Sequence, residues 1–308
     1  MTAADDAVLI LAFNRPDHLR RLIERLREVA PSRVYLAVDG PRADRVGERE
    51  AVMECRALAT SIDWPCSVET QFQEENLGCG LGVTTAITWF FSREERGIIL
   101  EDDILPDPSF FPFCTELLDR YEDDARVFAI SGCNYVPPEA MGSVGAYRFS
   151  RVPHIWGWAT WRRSWQSHAL NIKDWRTRLP LRALWQASGR SVAGMAYWTS
   201  TFELLARNQV DTWDGQLVLA GMAADQWTAT SNVNLVENLG FGSAATHTVR
   251  RPGYLREVEA IRLPTDPVPV EIDERADAWT RRYHFGATVP GFAAQGARYL
   301  RRRLGRTQ

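Results

Sequence analysis

Over roughly its first 130 residues the chain alternates short apolar runs with amphipathic stretches, which restricts it to a sheet covered by helices. Residues 7–13 are a continuous apolar run, the signature of a strand buried on both faces. Asn14-Arg15-Pro16 follows with turn and helix-start chemistry, and Leu19, Leu22, Ile23, Leu26 and Val29 then recur at helical spacing. Residues 33–38 read as a second strand closed by Asp39-Gly40-Pro41, and a second helix is expected over 48–62. Val68, Thr70 and Phe72 alternate like a third strand, and 76–82 read as a glycine-rich loop entering a helix that runs through Phe91. Residues 97–100 form a fourth short strand that leads straight into Glu101-Asp102-Asp103. The order is that of a mostly parallel, Rossmann-like sheet flanked by helices. Such sheets bind ligands at the carboxyl ends of their strands, the edge where Asp39 and the three acids fall.

Composition narrows the functional classes. The net charge of −3 gives no electrostatic case for nucleic-acid binding. Cys55, Cys66, Cys79, Cys114 and Cys133 are scattered and never form a CxxC pair, which argues against a zinc site and for a reducing cytoplasm. Asp5 and Asp6 precede a short apolar run, unlike a signal peptide, and nothing approaches the ~20 apolar residues of a membrane span. A soluble, cytoplasmic protein is expected. From Arg151 onward the composition changes, with most of the twelve tryptophans between Trp156 and Trp227. Past Arg250 the chain turns proline-rich and ends in Arg298, Arg301, Arg302, Arg303 and Arg306, a basic tail able to touch an anionic membrane surface. The expected organisation is 1–248 as one catalytic domain, with 7–135 its nucleotide half and 150–248 its tryptophan-rich acceptor half. Residues 249–308 are an extension packed on it.

Glu101, Asp102 and Asp103 would repel one another at a strand end unless compensated. Hard oxygen ligands in that position suit Mn²⁺ or Mg²⁺ bridging a diphosphate. Asp39 can accept the N3–H of a uracil, and Arg15 can contact the base or the phosphates. Together these residues outline a pocket for a nucleotide diphosphate.

The chain resembles the GT-A-fold glycosyltransferases of the bacterial family-2 type, and is similar also to the N-acetylglucosaminyltransferase I group. The resemblance rests on Ala12-Phe13-Asn14-Arg15-Pro16, Val38-Asp39-Gly40, Ile99-Leu100-Glu101-Asp102-Asp103-Ile104 and Pro108-Ser109-Phe110-Phe111. It continues through Trp156-Gly157-Trp158, Trp213-Asp214 and Gly240-Phe241-Gly242. It implies a GT-A, nucleotide-diphospho-sugar transferase fold and transfer of a sugar from a UDP-sugar to a hydroxyl of a glycan, a lipid-linked sugar or a small molecule. It also implies that Asp103 binds the metal, Asp102 the ribose or the metal shell and Glu101 the donor sugar, with Arg15 beside Asp39 at the uracil. The related eukaryotic group carries two acids after the tryptophan, whereas here Gly215 follows Trp213-Asp214. Asp214 is the candidate general base of an inverting transfer, ahead of Asp174, Asp211 and Asp225. His247 is a further candidate for the metal shell or the diphosphate. Trp156 and Trp158 are candidate acceptor contacts, their faces suited to stacking on a sugar, while core packing accounts for most of the other tryptophans.

Two other readings compete. Gly78-Cys79-Gly80-Leu81-Gly82 resembles the loop of S-adenosylmethionine-dependent methyltransferases, although the polar Gln73-Glu74-Glu75-Asn76 ahead of it is no buried strand. A non-catalytic carbohydrate-binding module would use the tryptophans, but leaves Arg15, Asp39 and Asp103 without a purpose.

Overall fold

The residues from Val8 to Ala12 are all buried, and their alternation decides the layers of the molecule. In this computed structural model, which describes residues 6–143, 145–241, 252–263 and 266–288, they form the first strand, β1 (Val8–Ala12). Val8, Ile10 and Ala12 face one apolar core, and Leu9 and Leu11 face a second on the other side of the sheet. The chain then runs α1 (Pro16–Val29), β2 (Arg33–Val38), α2 (Glu48–Ala57), β3 (Ser67–Phe72), α3 (Gly78–Phe91) and β4 (Arg96–Glu101). Next come β5 (Ile104–Pro106), α4 (Phe110–Arg120), β6 (Val127–Ser131), β7 (Tyr147–Ser150) and β8 (Trp158–Trp161). Five helices follow: α5 (Arg162–Trp165), α6 (Trp175–Arg178), α7 (Leu181–Ala187), α8 (Val192–Ala206) and α9 (Asp214–Ala223). The described chain continues with β9 (Trp227–Ser231), β10 (Val236–Asn238) and α10 (Glu274–Trp279), which passes into a π-helical turn, Thr280–His284.

Eight strands make one sheet in the order β3-β2-β1-β4-β8-β6-β9-β7. β3, β2, β1, β4, β6 and β9 run one way, while β8 and β7 oppose them. The fold is therefore α/β with a mostly parallel central sheet. Helix α1 lays Leu19, Leu22, Ile23, Leu26 and Val29 on one face, together with Val52 and Cys55 of α2 and the phenylalanines of α4. Burying each such aliphatic side chain contributes about 1.5–3 kcal/mol. The opposite face is covered by Ala86, Ile87 and Phe90 of α3 and by Leu217 and Ala220 of α9.

The tryptophan-rich segment belongs to this same sheet, because β8 inserts between β4 and β6. Most of its indoles are core. Trp158 stacks on Trp213 at 5.8 Å between ring centres, and Trp175, Trp198 and Phe202 fill a third cluster beneath α8. The described part of the C-terminal extension packs on β7. Phe149 bridges Ile272, Asp273 donates its amide to the Phe149 carbonyl at 3.0 Å, and Asp277 accepts from Ser150 Oγ at 2.7 Å. Among the described residues no helix is long and apolar enough to cross a membrane. The arginines from Arg298 onward lie outside the described residues.

Candidate active site

Two strands that flank β1 each end in acid. The Asp39 amide donates to the Ala12 carbonyl at 3.1 Å and the Asp102 amide to the Leu11 carbonyl at 2.8 Å. Both acids are thereby held at the carboxyl edge of the sheet, with β1 between them. Two strand spacings separate them, on the order of 10 Å. The cleft at this edge encloses about 870 Å³ and is lined by Arg15, Asp39, Glu101, Asp102, Asp103 and Trp156 among others. That volume falls within the range of small-molecule sites.

Among the described residues Arg15 is the cation that pairs with these carboxylates. Arg15 meets Asp103 Oδ2 at 2.7 Å and lies 3.7 Å from Asp102 Oδ1. Asp102 Oδ2 also accepts the Phe13 amide at 3.2 Å. Burial, with the negative charges of Asp103 and Asp102 next, pushes the Glu101 carboxyl up to about 8. Burial and then Asp103 push Asp102 up to about 7, against the opposing pull of Arg15. Such a cluster is short of a cation. Among the described residues no three His, Cys, Asp or Glu side chains converge to hold an ion alone. The donors instead fit a hard cation that takes the rest of its shell from water and from substrate oxygens.

Strand β5 leaves this cluster at once and pairs with β10, so the next segment returns over Asp103. The Leu239 amide donates to the Asp103 carbonyl at 2.7 Å. A Cβ at Gly240 would collide with Asp103 Oδ2, and this close approach is what the glycine permits. His247 lies outside the described residues.

At the other end of the cleft Asp39 is tightly held. Its Oδ1 accepts the Gly40 amide at 2.8 Å and the Leu77 amide at 3.0 Å, and its Oδ2 accepts Asn76 Nδ2 at 2.9 Å. Burial raises its carboxyl above the ordinary value while the Leu77, Gly40 and Gly78 backbone amides pull the other way. Arg42 and Arg45 stand at the same cleft, with Arg42 over the Phe13 ring at 5.4 Å.

The glycine-rich segment is not a loop. Helix α3 begins at Gly78, and Asp211 sits on its first turn. The Cys79 and Gly80 amides donate to the two Asp211 oxygens at 3.0 and 2.9 Å. A Cβ would stand 2.6 Å from Asp211 at Gly78 and 2.8 Å at Gly80, so the glycines make room for that carboxylate. The amides expected to cradle a cofactor in the methyltransferase reading are taken, which removes its basis. Sequence reasoning missed this role of Asp211; its signal was an acid three residues ahead of Asp214 in the same turn. Asp211→Ala should therefore uncap α3 and lower stability by about 1 kcal/mol, read as a fall in Tm. An unchanged Tm would show that the carboxylate contributes nothing to that helix.

The remaining expected residues divide. Trp156 lines the cleft and a smaller adjoining cavity of about 250 Å³ that also reaches Tyr135 and Arg256. Trp158 is corrected: it is 1 % exposed, because it begins β8 and packs into the core against Trp213. Asp214 is exposed and is absent from the lining of the cleft. Its Oδ1 accepts from Thr212 Oγ1 at 2.5 Å and from the Gly215 amide at 2.7 Å, as at a helix start, while its charge is felt at Glu101 and Cys79. Asp225 follows the far end of α9, whose ten residues span about 15 Å. Asp174 is likewise absent from the lining.

The chain matches no family model and no curated protein. Among solved structures it is similar to HddC from Yersinia pseudotuberculosis at 13% identity and a TM-score of 0.32, over 51% of this chain and 77% of that one. It is similar to the glycosyltransferase GlyE of Streptococcus pneumoniae TIGR4 at 12% identity and a TM-score of 0.34, over 74% of this chain and 45% of that one. It is also similar to a UDP-glucose pyrophosphorylase complexed with UDP-glucose, at 11% identity and a TM-score of 0.36, over 74% and 90%.

Proposed function

We propose that the chain is a metal-dependent glycosyltransferase that moves a sugar from a nucleotide-diphosphate donor, a UDP-sugar, to a hydroxyl acceptor. The observation that carries this reading is the convergence of Arg15, Asp39 and Glu101-Asp102-Asp103 in one cleft at the carboxyl edge of parallel strands. Asp39 and its surroundings would take the base. Asp102 and Asp103 would hold Mn²⁺ or Mg²⁺ against the diphosphate, and Arg15 would share its charge. The cation's contribution, when bound, is to neutralise charge developing on the departing diphosphate. Glu101 faces the donor sugar, and Trp156 offers an aromatic wall to the acceptor where the two cavities meet. Asp214 is the proposed base and inversion the proposed outcome: its Oδ1 is engaged by Thr212 and Gly215, and among the described residues no hydrogen bond engages its other oxygen, which could accept a proton.

Ligand-dependent melting tests the class. UDP with Mn²⁺ should raise Tm by more than S-adenosylmethionine does, since a ligand stabilises only the state it binds. Stabilisation by S-adenosylmethionine alone, with none by UDP and Mn²⁺, would overturn the glycosyltransferase reading.

A further inference from the structure

We infer that the smaller cavity is a subsite for one neutral sugar residue of the acceptor, and that residues 255–258 of the C-terminal extension form its specificity-determining wall. The inference rests on the glycosyltransferase reading above.

The cavity adjoins the acidic end of the cleft. It shares Trp156, Asn238 and Phe241 with the cleft, and Gly240, between the last two, lies against Asp103. Asp39 is absent from its lining. On the donor reading, this is the end where a sugar would part from its diphosphate.

The wall is fixed by polar side chains of the sheet domain. Asn234 is buried, and its Nδ2 donates to the Val236 carbonyl at 2.8 Å and to the Arg256 carbonyl at 3.1 Å. Its Oδ1 accepts the Asn134 amide at 3.2 Å, and its own carbonyl accepts the Glu259 amide at 2.9 Å. Further along, the Ile261 amide donates to Ser109 Oγ at 2.9 Å, and that hydroxyl donates to Asp107 Oδ1 at 2.6 Å. A segment anchored at both ends spends no affinity on being ordered when a ligand arrives.

The lining suits a sugar. Trp156 meets Tyr135 at 5.5 Å and 88°, and Phe241 at 5.8 Å and 75°. Trp156 is parallel to neither, so the rings make a corner rather than the parallel slot that grips a flat base. One ring face is enough for the C–H face of a pyranose. Glu237 of β10 and Arg256 and Glu257 of the extension supply the polar lining. Among the described residues no hydrogen bond or ion pair engages these three side chains. Two carboxylates accept and one guanidinium donates, which answers a rim of hydroxyls in both senses. Two acids against one cation disfavour an anionic sugar, and an acyl chain would leave all three without partners. At about 250 Å³ the cavity falls just below the range of drug-sized sites, which suits one sugar residue rather than a chain.

The test is saturation-transfer NMR on the full chain, with UDP and Mg²⁺ present to occupy the cleft. The probes are the methyl glycosides of glucose, galactose, mannose and N-acetylglucosamine, with methyl glucuronide as the anionic comparison. At least one neutral glycoside should bind. Arg256→Ala and Glu257→Ala, their folds checked by Tm, should each weaken it by ~10-fold while leaving UDP affinity unchanged. Binding of UDP but of no neutral glycoside would overturn the subsite and leave the donor reading standing. Undiminished glycoside binding in both variants would remove the extension from the site, and tightest binding of the glucuronide would overturn the neutral class. Failure of UDP to bind, with glycoside binding still weakened by the two variants, would sink the donor reading alone.

Discussion

Asp103→Asn is expected to eliminate metal-dependent donor binding while leaving the chain folded. The change is isosteric, so Gly240 and Leu239 can still pack on residue 103 and the β5–β10 pair persists. What it removes is one of the few anionic oxygens at the edge where a diphosphate and its cation would meet. Neutral amides are poor ligands for a hard divalent ion, and loss of even a supporting partner of a metal ligand costs 10–100-fold in affinity. Loss of the ligand itself should cost more than ~100-fold, measured as UDP affinity with and without Mn²⁺. The metal-free affinity should change little, because Asp39, the proposed contact of the base, is about two strand spacings away. Retention of the full Mn²⁺ effect in Asp103→Asn would move the cation off this residue, with Asp102 and Glu101 the remaining acids of the cluster. Arg15 sharpens the comparison. It pairs with Asp103 at 2.7 Å, so a global loss of stability in the variant would report on that ion pair rather than on the metal.

The first half of the fold was open to sequence reading because its strands are buried on both faces and its first helix shows one clean stripe. Continuous apolar runs such as residues 7–13 and periodic sets such as Leu19, Leu22, Ile23, Leu26 and Val29 are local signals, and the structure realises both. The carboxylate edge was legible for the same reason, since each acid directly follows a strand. The start of α3 was not. Its glycines read as a loop because what fixes them as a helix is Asp211, 131 positions away from Gly80 along the chain. No local pattern carries such a contact. Trp156 and Trp158 are both acceptor candidates in the sequence, and an extended run would set them on one face. Gly157 stands between them at φ +68°, a left-handed turn that ends the shared face, so Trp156 lines the cleft and Trp158 enters the core. Trp161, at the end of β8, is likewise buried, under the Arg163 guanidinium at 4.2 Å.

Asp214→Asn should separate base catalysis from donor binding. Because Asp214 lies outside the lining of the cleft and none of the described hydrogen bonds ties it to Arg15, Asp39 or the acidic cluster, affinity for UDP and Mn²⁺ should stay near that of the unaltered chain. The amide can keep the bonds from Thr212 Oγ1 and the Gly215 amide through its own oxygen, so the start of α9 survives. What it cannot do is take a proton. A positioned general base contributes ~10²–10⁴-fold, and sugar transfer to a hydroxyl should drop by that factor with donor binding intact. The competitors differ in what geometry allows them. Asp225 follows the opposite end of α9, about 15 Å away, and Asp174 is absent from the lining of the cleft. Asp211 does line it, but both of its oxygens hold the first turn of α3. Transfer at the unaltered rate in Asp214→Asn would therefore pass the role to Asp211, whose proton uptake would have to compete with two helix amides. Loss of UDP affinity instead would assign Asp214 to the nucleotide pocket, and the acceptor hydroxyl would have to be sought beside Trp156.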